Sequence, residues 1–111
     1  MRQLAVIIPS RTLSNLAACV GAVQRHDYND NIITVWDRSG GNDHLKPNPG
    51  YRVREVCTPF VYSRSCNIGI EAAGRHDVIL LNDDAMLQTP GGFTAMQRQA
   101  EEHHVDRKSV V

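Results

Sequence analysis

The stretch Val78-Ile-Leu-Leu-Asn82-Asp83-Asp84 constrains this chain more than any other, because an apolar strand runs straight into paired carboxylates. Desolvating an unpaired carboxylate costs several kcal/mol or more, so adjacent acids cannot sit inside a buried strand. They belong at its carboxyl end, where an open α/β sheet presents its ligand crevice. Oxygen donors there suit a hard divalent cation and the phosphates such a cation carries.

The rest of the chain supplies the elements that such a sheet needs. Leu4-Ala-Val-Ile-Ile8 is a continuous apolar run ended by Pro9, the pattern of a strand buried on both faces. Leu13, Leu16, Ala17, Val20 and Val23 then recur at helical spacing, with Thr12 or Ser14 placed to cap. Ile32 to Trp36 is a second, β-branched strand that stops at Asp37, and a polar, glycine- and proline-rich loop follows from Arg38 to Gly50. From Tyr51 to Cys57 the residues alternate as in a more exposed strand, with Tyr51, Val53, Glu55 and Cys57 on one face and Arg52, Arg54 and Val56 on the other. Ser63 or Ser65 starts a helix through Ile68 and Ala72 that Gly74 stops. Thr89-Pro90 opens another, through Phe93, Met96 and Ala100 to about His103, and Asp106 to Val111 can add a short strand.

Strands alternating with helices in this order predict an α/β fold: a Rossmann-like, three-layer α/β/α domain around a small, mostly parallel sheet with β1 near its centre. With 111 residues the chain is one domain, spanning 1–111. Its acidic and basic residues balance to zero net charge, which argues against a nucleic-acid binder. It has no apolar run near the ~18 residues of a membrane span and no signal-peptide layout. Cys19, Cys57 and Cys66 have no metal-ligand spacing and read as small hydrophobes in a reducing compartment, so a cytoplasmic protein is expected. Uncovered edges on so short a sheet predict a homodimer.

Three polar segments converge on one rim in this topology: Pro9-Ser10-Arg11, Asp37-Arg38-Ser39 and Asn82-Asp83-Asp84. In that order they resemble the nucleotide-sugar-binding half of family 2 glycosyltransferases of the GT-A fold. Val6-Ile-Ile-Pro-Ser10 resembles the family's opening strand and turn, and Val35-Trp-Asp37-Arg-Ser-Gly40 its second strand. Ser63-Arg-Ser-Cys-Asn67-Ile-Gly69-Ile is similar to the Arg-Asn-x-Gly helix start, and Ile79 to Leu87 to the strand bearing the Asp-x-Asp signature. Three departures stand out: Asn82 replaces the first acid, Ser65-Cys66 splits the Arg-Asn pair, and the family's second half, with its acceptor site and general base, has no counterpart here.

The resemblance implies a metal-dependent glycosyltransferase, hexosyl- or rhamnosyltransferase-like, using a UDP-, GDP- or dTDP-linked sugar with Mn²⁺ or Mg²⁺. Asp84, with Asp83, would hold the metal, and Asp83 would also reach the ribose. Asp37 would meet the base, and Pro9, Ser10 and Arg11 would line the nucleotide pocket. Arg64 is a phosphate candidate beside a helix start, where anions are favoured, and Asn67 belongs to the same motif. Each of these residue types also has an ordinary use: acids cap turns, and exposed arginines are solvated. No residue is a convincing general base, although Glu101, Glu102 and Asp106 lie in the terminal region. The alternative is a minimal GT-A domain that binds a nucleotide or nucleotide sugar without transferring it, completed by a partner subunit. An unrelated Rossmann-like nucleotidyltransferase or flavodoxin-like module is a third reading. The Gly-x-Gly-x-x-Gly turn and the Walker loop are both missing, which argues against dinucleotide and P-loop variants. The five histidines are given no role, and Trp36 is read as sheet packing.

Overall fold

The computed structural model describes residues 4–26, 31–46 and 48–83, together with the backbone of 108–110. The order of elements is β1 (Leu4–Ser10), α1 (Leu13–His26), β2 (Ile32–Asp37), β3 (Arg52–Val56), α2 (Tyr62–Ala73), β4 (Asp77–Leu80) and β5 (Lys108–Val110). The strands form one sheet in the order β3-β2-β1-β4-β5, and every neighbouring pair runs parallel. The expected α/β, Rossmann-like architecture is thus present, with β1 in the middle. The expected helix from Thr89 to His103 lies outside the described residues. The short strand expected between Asp106 and Val111 is present as β5.

Both faces of the central strands are apolar because both are covered. Val6, Ile8, Ile32, Trp36, Ile79 and Leu81 pack with Leu16, Cys19, Val20 and Val23 of α1. Ala5, Ile7, Ile33, Val35, Val78 and Leu80 pack with Cys66 and Ala73 of α2. Alternate residues of one strand therefore enter opposite layers, as the two-residue period of a strand requires. Thr34 is a polar residue in this core, and its Oγ1 donates to the Ile8 carbonyl at 2.9 Å. A small-residue ridge of Ser65, Gly69 and Ala73 lets α2 lie close to the sheet. At Gly69 an added Cβ would overlap Ile7 Cγ2 and come within 3.3 Å of Val35 Cγ2, so this position is glycine for packing.

Three expectations are corrected in detail. β1 does not end before Pro9 but continues through it to Ser10, with Pro9 opposite Val35 of β2. The ring is tolerated because position 9 points its backbone nitrogen toward β4, beyond the last rung of that pairing. Leu13 and Ala17 of the expected helical stripe are exposed, and Cys19 and Ala22 are buried instead. Neither Ser63 nor Ser65 starts α2; Val61 is the cap residue, without a side-chain cap bond, and Ser65 is buried inside the helix. The glycine stop is as expected: Gly74 has φ of 65° and its N–H reaches Glu71 O. Finally, the open edge β3 carries exposed Arg52, Arg54 and Glu55. Such charges discourage strand pairing, so this edge lends no support to a homodimer.

Candidate functional site

Because all strands run parallel, Ser10, Asp37 and the residues after β4 emerge on the same edge of the sheet. Both helices follow strands, so their N-termini open onto that edge as well. The chain crosses from β1 to β2 and β3 on one side and returns to β4 on the other, which makes the β1/β4 boundary the switch point of the sheet. There the ladder ends with the Leu81 N–H on the Ile7 carbonyl at 2.9 Å. The next rung would need an N–H at position 9, and proline has none. The two strands are free to part beyond it, and a crevice begins.

Across that boundary Ser10 Oγ donates to Asp83 Oδ2 at 2.8 Å. A weaker contact of 3.4 Å links the same hydroxyl to the Thr12 carbonyl. The carboxylate bond is the stronger one, being shorter and charge-assisted. Sequence positions 73 apart are thereby joined at the rim. Asn82, beside Asp83, is held from both layers. Tyr62 OH of α2 donates to its Oδ1 at 2.9 Å, and Cys19 Sγ of α1 lies 3.8 Å from its carbonyl oxygen. Burial pushes the Tyr62 phenol up, and a hydrogen bond with Cys66 adds to the shift, so Tyr62 remains a protonated donor.

Asp37 is buried at the end of β2, and its Oδ1 accepts the Ser39 N–H at 2.8 Å. The Asp-led turn into the glycines is therefore formed, and one carboxylate oxygen is engaged in it. Gly40 and Gly41 take φ of 69° and 83°, which glycine alone adopts cheaply. The Arg11 side chain lies over Gly40, close enough that a Cβ there would sit 3.0 Å from Nη2. Asn42 ties the two turns together: its Nδ2 donates to Asp37 O at 2.8 Å and to Arg11 O at 3.0 Å. Trp36 is buried, as expected for sheet packing, and its Nε1 donates to Asp43 O at 2.8 Å.

The structure thus brings Pro9, Ser10, Arg11, Asp37 and Asp83 to one rim. Arg64 does not precede α2 but lies in its first turn, exposed, with Nη1 donating to Thr58 Oγ1 at 3.0 Å. Asn67 is exposed one turn further on. Asp84 lies outside the described residues. Sequence reasoning missed Asn42, Tyr62 and Cys19 as rim supports; each acts through a contact made only after folding, and no local motif marks it.

Among the described residues no three His, Cys, Asp or Glu side chains gather as a metal-binding group. A Mg²⁺- or Mn²⁺-sized ion needs only one or two protein carboxylates, with waters and phosphate oxygens completing its shell. Asp83 meets that demand in kind, since one hydrogen bond uses one of about four lone-pair positions on a carboxylate. Neither helix carries an acid in its first turn, and α2 lacks a capping side chain, so amide donors on this edge are left for an anion. Among the described residues no helix is long and apolar enough to cross a membrane. No protein-family model matches this chain, and no curated protein is similar enough to count as a relative.

Proposed function

We propose that this chain binds the diphosphate of a nucleotide sugar at the switch point of its sheet, as a metal-dependent module of the family 2 glycosyltransferase kind. The observation that carries the reading is the Ser10–Asp83 hydrogen bond, which sets a carboxylate at the mouth of the crevice that Pro9 opens. Two helix N-termini free of acids face the same edge and favour phosphate. Arg11 and Arg64 add cations on either side of it. Asp83, with Asp84, would hold Mn²⁺ or Mg²⁺, and the buried turn at Asp37 would border the nucleoside. The metal, when bound, would neutralise charge growing on the departing diphosphate. The chain's own residues orient the carboxylate, supply amides and fix the two turns.

A second reading is binding without transfer: Asp37 and Asp83 are assigned to the nucleoside and the metal, which leaves neither as the base that takes a proton from an acceptor. Titration calorimetry with UDP, GDP and dTDP, with and without Mn²⁺, tests what the readings share. Metal-dependent binding that is lost in Asp83→Asn and Asp84→Ala supports them; binding indifferent to metal and to both acids removes them. Release of diphosphate from a sugar nucleotide then separates transferase from binder.

A further inference from the structure

On the α1 side of the sheet, Asn42 to Lys46 and Asn48 wall a groove of about 470 Å³. Such a volume is in the range that takes a small molecule. Apolar and aromatic side chains line it: Leu13, Trp36, Leu45 and Tyr51. Leu13 is 59% exposed although it opens a helix whose neighbours are core, so an apolar surface is left at the entrance. Two cations, Arg11 and Lys46, outnumber one acid, Asp43, in the same lining.

The wall is fixed in place. Trp36 Nε1 holds the Asp43 carbonyl, and the Asn42 amide holds Asp37 O and Arg11 O. On the outer side the Glu55 carboxylate takes His44 Nδ1 at 2.8 Å through one oxygen and the Leu45 N–H at 3.2 Å through the other. A loop anchored at four successive residues keeps its hollow without a ligand, so little ordering cost remains to oppose binding.

We infer that this groove, which shares Arg11 with the nucleotide rim but not Asp83, is a second binding site for a small anion with a flat apolar body, of the class of aromatic carboxylates. The apolar floor takes the ring, and Arg11 and Lys46 take the carboxylate by charge-assisted hydrogen bonds. The inference does not depend on nucleotide binding.

Trp36 is the sole tryptophan, so fluorescence excited beyond the tyrosine absorption band reports on this groove. The probe is 2-naphthoate, with neutral 2-naphthamide as its isostere. Naphthoate gives saturable quenching, and naphthamide binds about ten-fold more weakly, the order expected for losing charge-assisted contacts. Arg11→Gln/Lys46→Gln removes the preference for the acid and leaves naphthamide affinity unchanged, which a collapsed groove would not do. Asp83→Asn keeps naphthoate binding, so the groove and the nucleotide rim succeed or fail separately. Equal affinity for acid and amide, or no saturable quenching of the wild-type chain, overturns the inference.

Discussion

Gly69→Ala tests how α2 lies on the sheet. In an exposed helix the change would stabilise by about 1 kcal/mol, since glycine is the poorer helix former. Here the new methyl overlaps Ile7 Cγ2 and meets Val35 Cγ2 at 3.3 Å. Ile7 is fully buried in the middle strand and β-branched, so its Cγ2 cannot swing aside without leaving its preferred rotamer. Overpacking of this kind costs about 1–3 kcal/mol, and this site belongs at the upper end. After the propensity gain a net loss of about 2 kcal/mol remains, which lowers the urea midpoint by roughly 1.3 M for a slope near 1.5 kcal/mol per M. Urea unfolding followed by circular dichroism measures it. Ile7→Ala alone costs about 2–5 kcal/mol, but in that background Gly69→Ala no longer clashes and keeps only its propensity gain, so the cycle shows coupling of about 3 kcal/mol. A stabilised Gly69→Ala, or additive effects, would refute the placement of α2 over Ile7.

Three further outcomes follow from particular contacts. Asn42→Asp keeps the acceptor that receives the Asp43 N–H but replaces two donated bonds with repulsion against Arg11 O and Asp37 O. A loss of about 1–2 kcal/mol and faster amide exchange at Gly40 and Gly41 are expected. Thr34→Val keeps the shape and removes the bond to Ile8 O, costing about 1 kcal/mol by thermal or chemical unfolding. The Glu55 carboxyl lies below its ordinary value, chiefly through its hydrogen bond with His44 and further through the Leu45 amide. A depressed carboxylate contributes above its unfolded-state pKa and loses that contribution as pH falls through the folded value. Carbon-detected NMR titration should therefore show Glu55 titrating low in the wild type and moving up in His44→Ala.

Strand identity was legible because both faces of β1, β2 and β4 are covered, and continuous apolar runs have little else to become. The edge strand β3 was legible through its alternation, with Tyr51 and Val53 against the α1 layer and Val56 against the α2 layer. Pro9 misled because the rule against proline in strands assumes that every N–H has a rung to make; position 9 has none beyond Leu81. The start of α2 was misplaced because serine is a good cap in general, whereas here Ser65 is needed as a small residue facing the sheet. The rim itself could be read from where the polar residues interrupt the strands. Its clamps could not: Asn42 and Tyr62 work through partners 20 or more positions away, Arg11 for one and Asn82 for the other.

Paramagnetic broadening by Mn²⁺ in the presence of UDP locates the proposed site most directly. Amide resonances of Ser10, Arg11 and Asp83 should broaden first, at substoichiometric metal, and Asp83→Asn should abolish the effect. Broadening confined to the opposite edge of the sheet, around Glu71 and Asp77, or none that UDP enhances, would contradict the account.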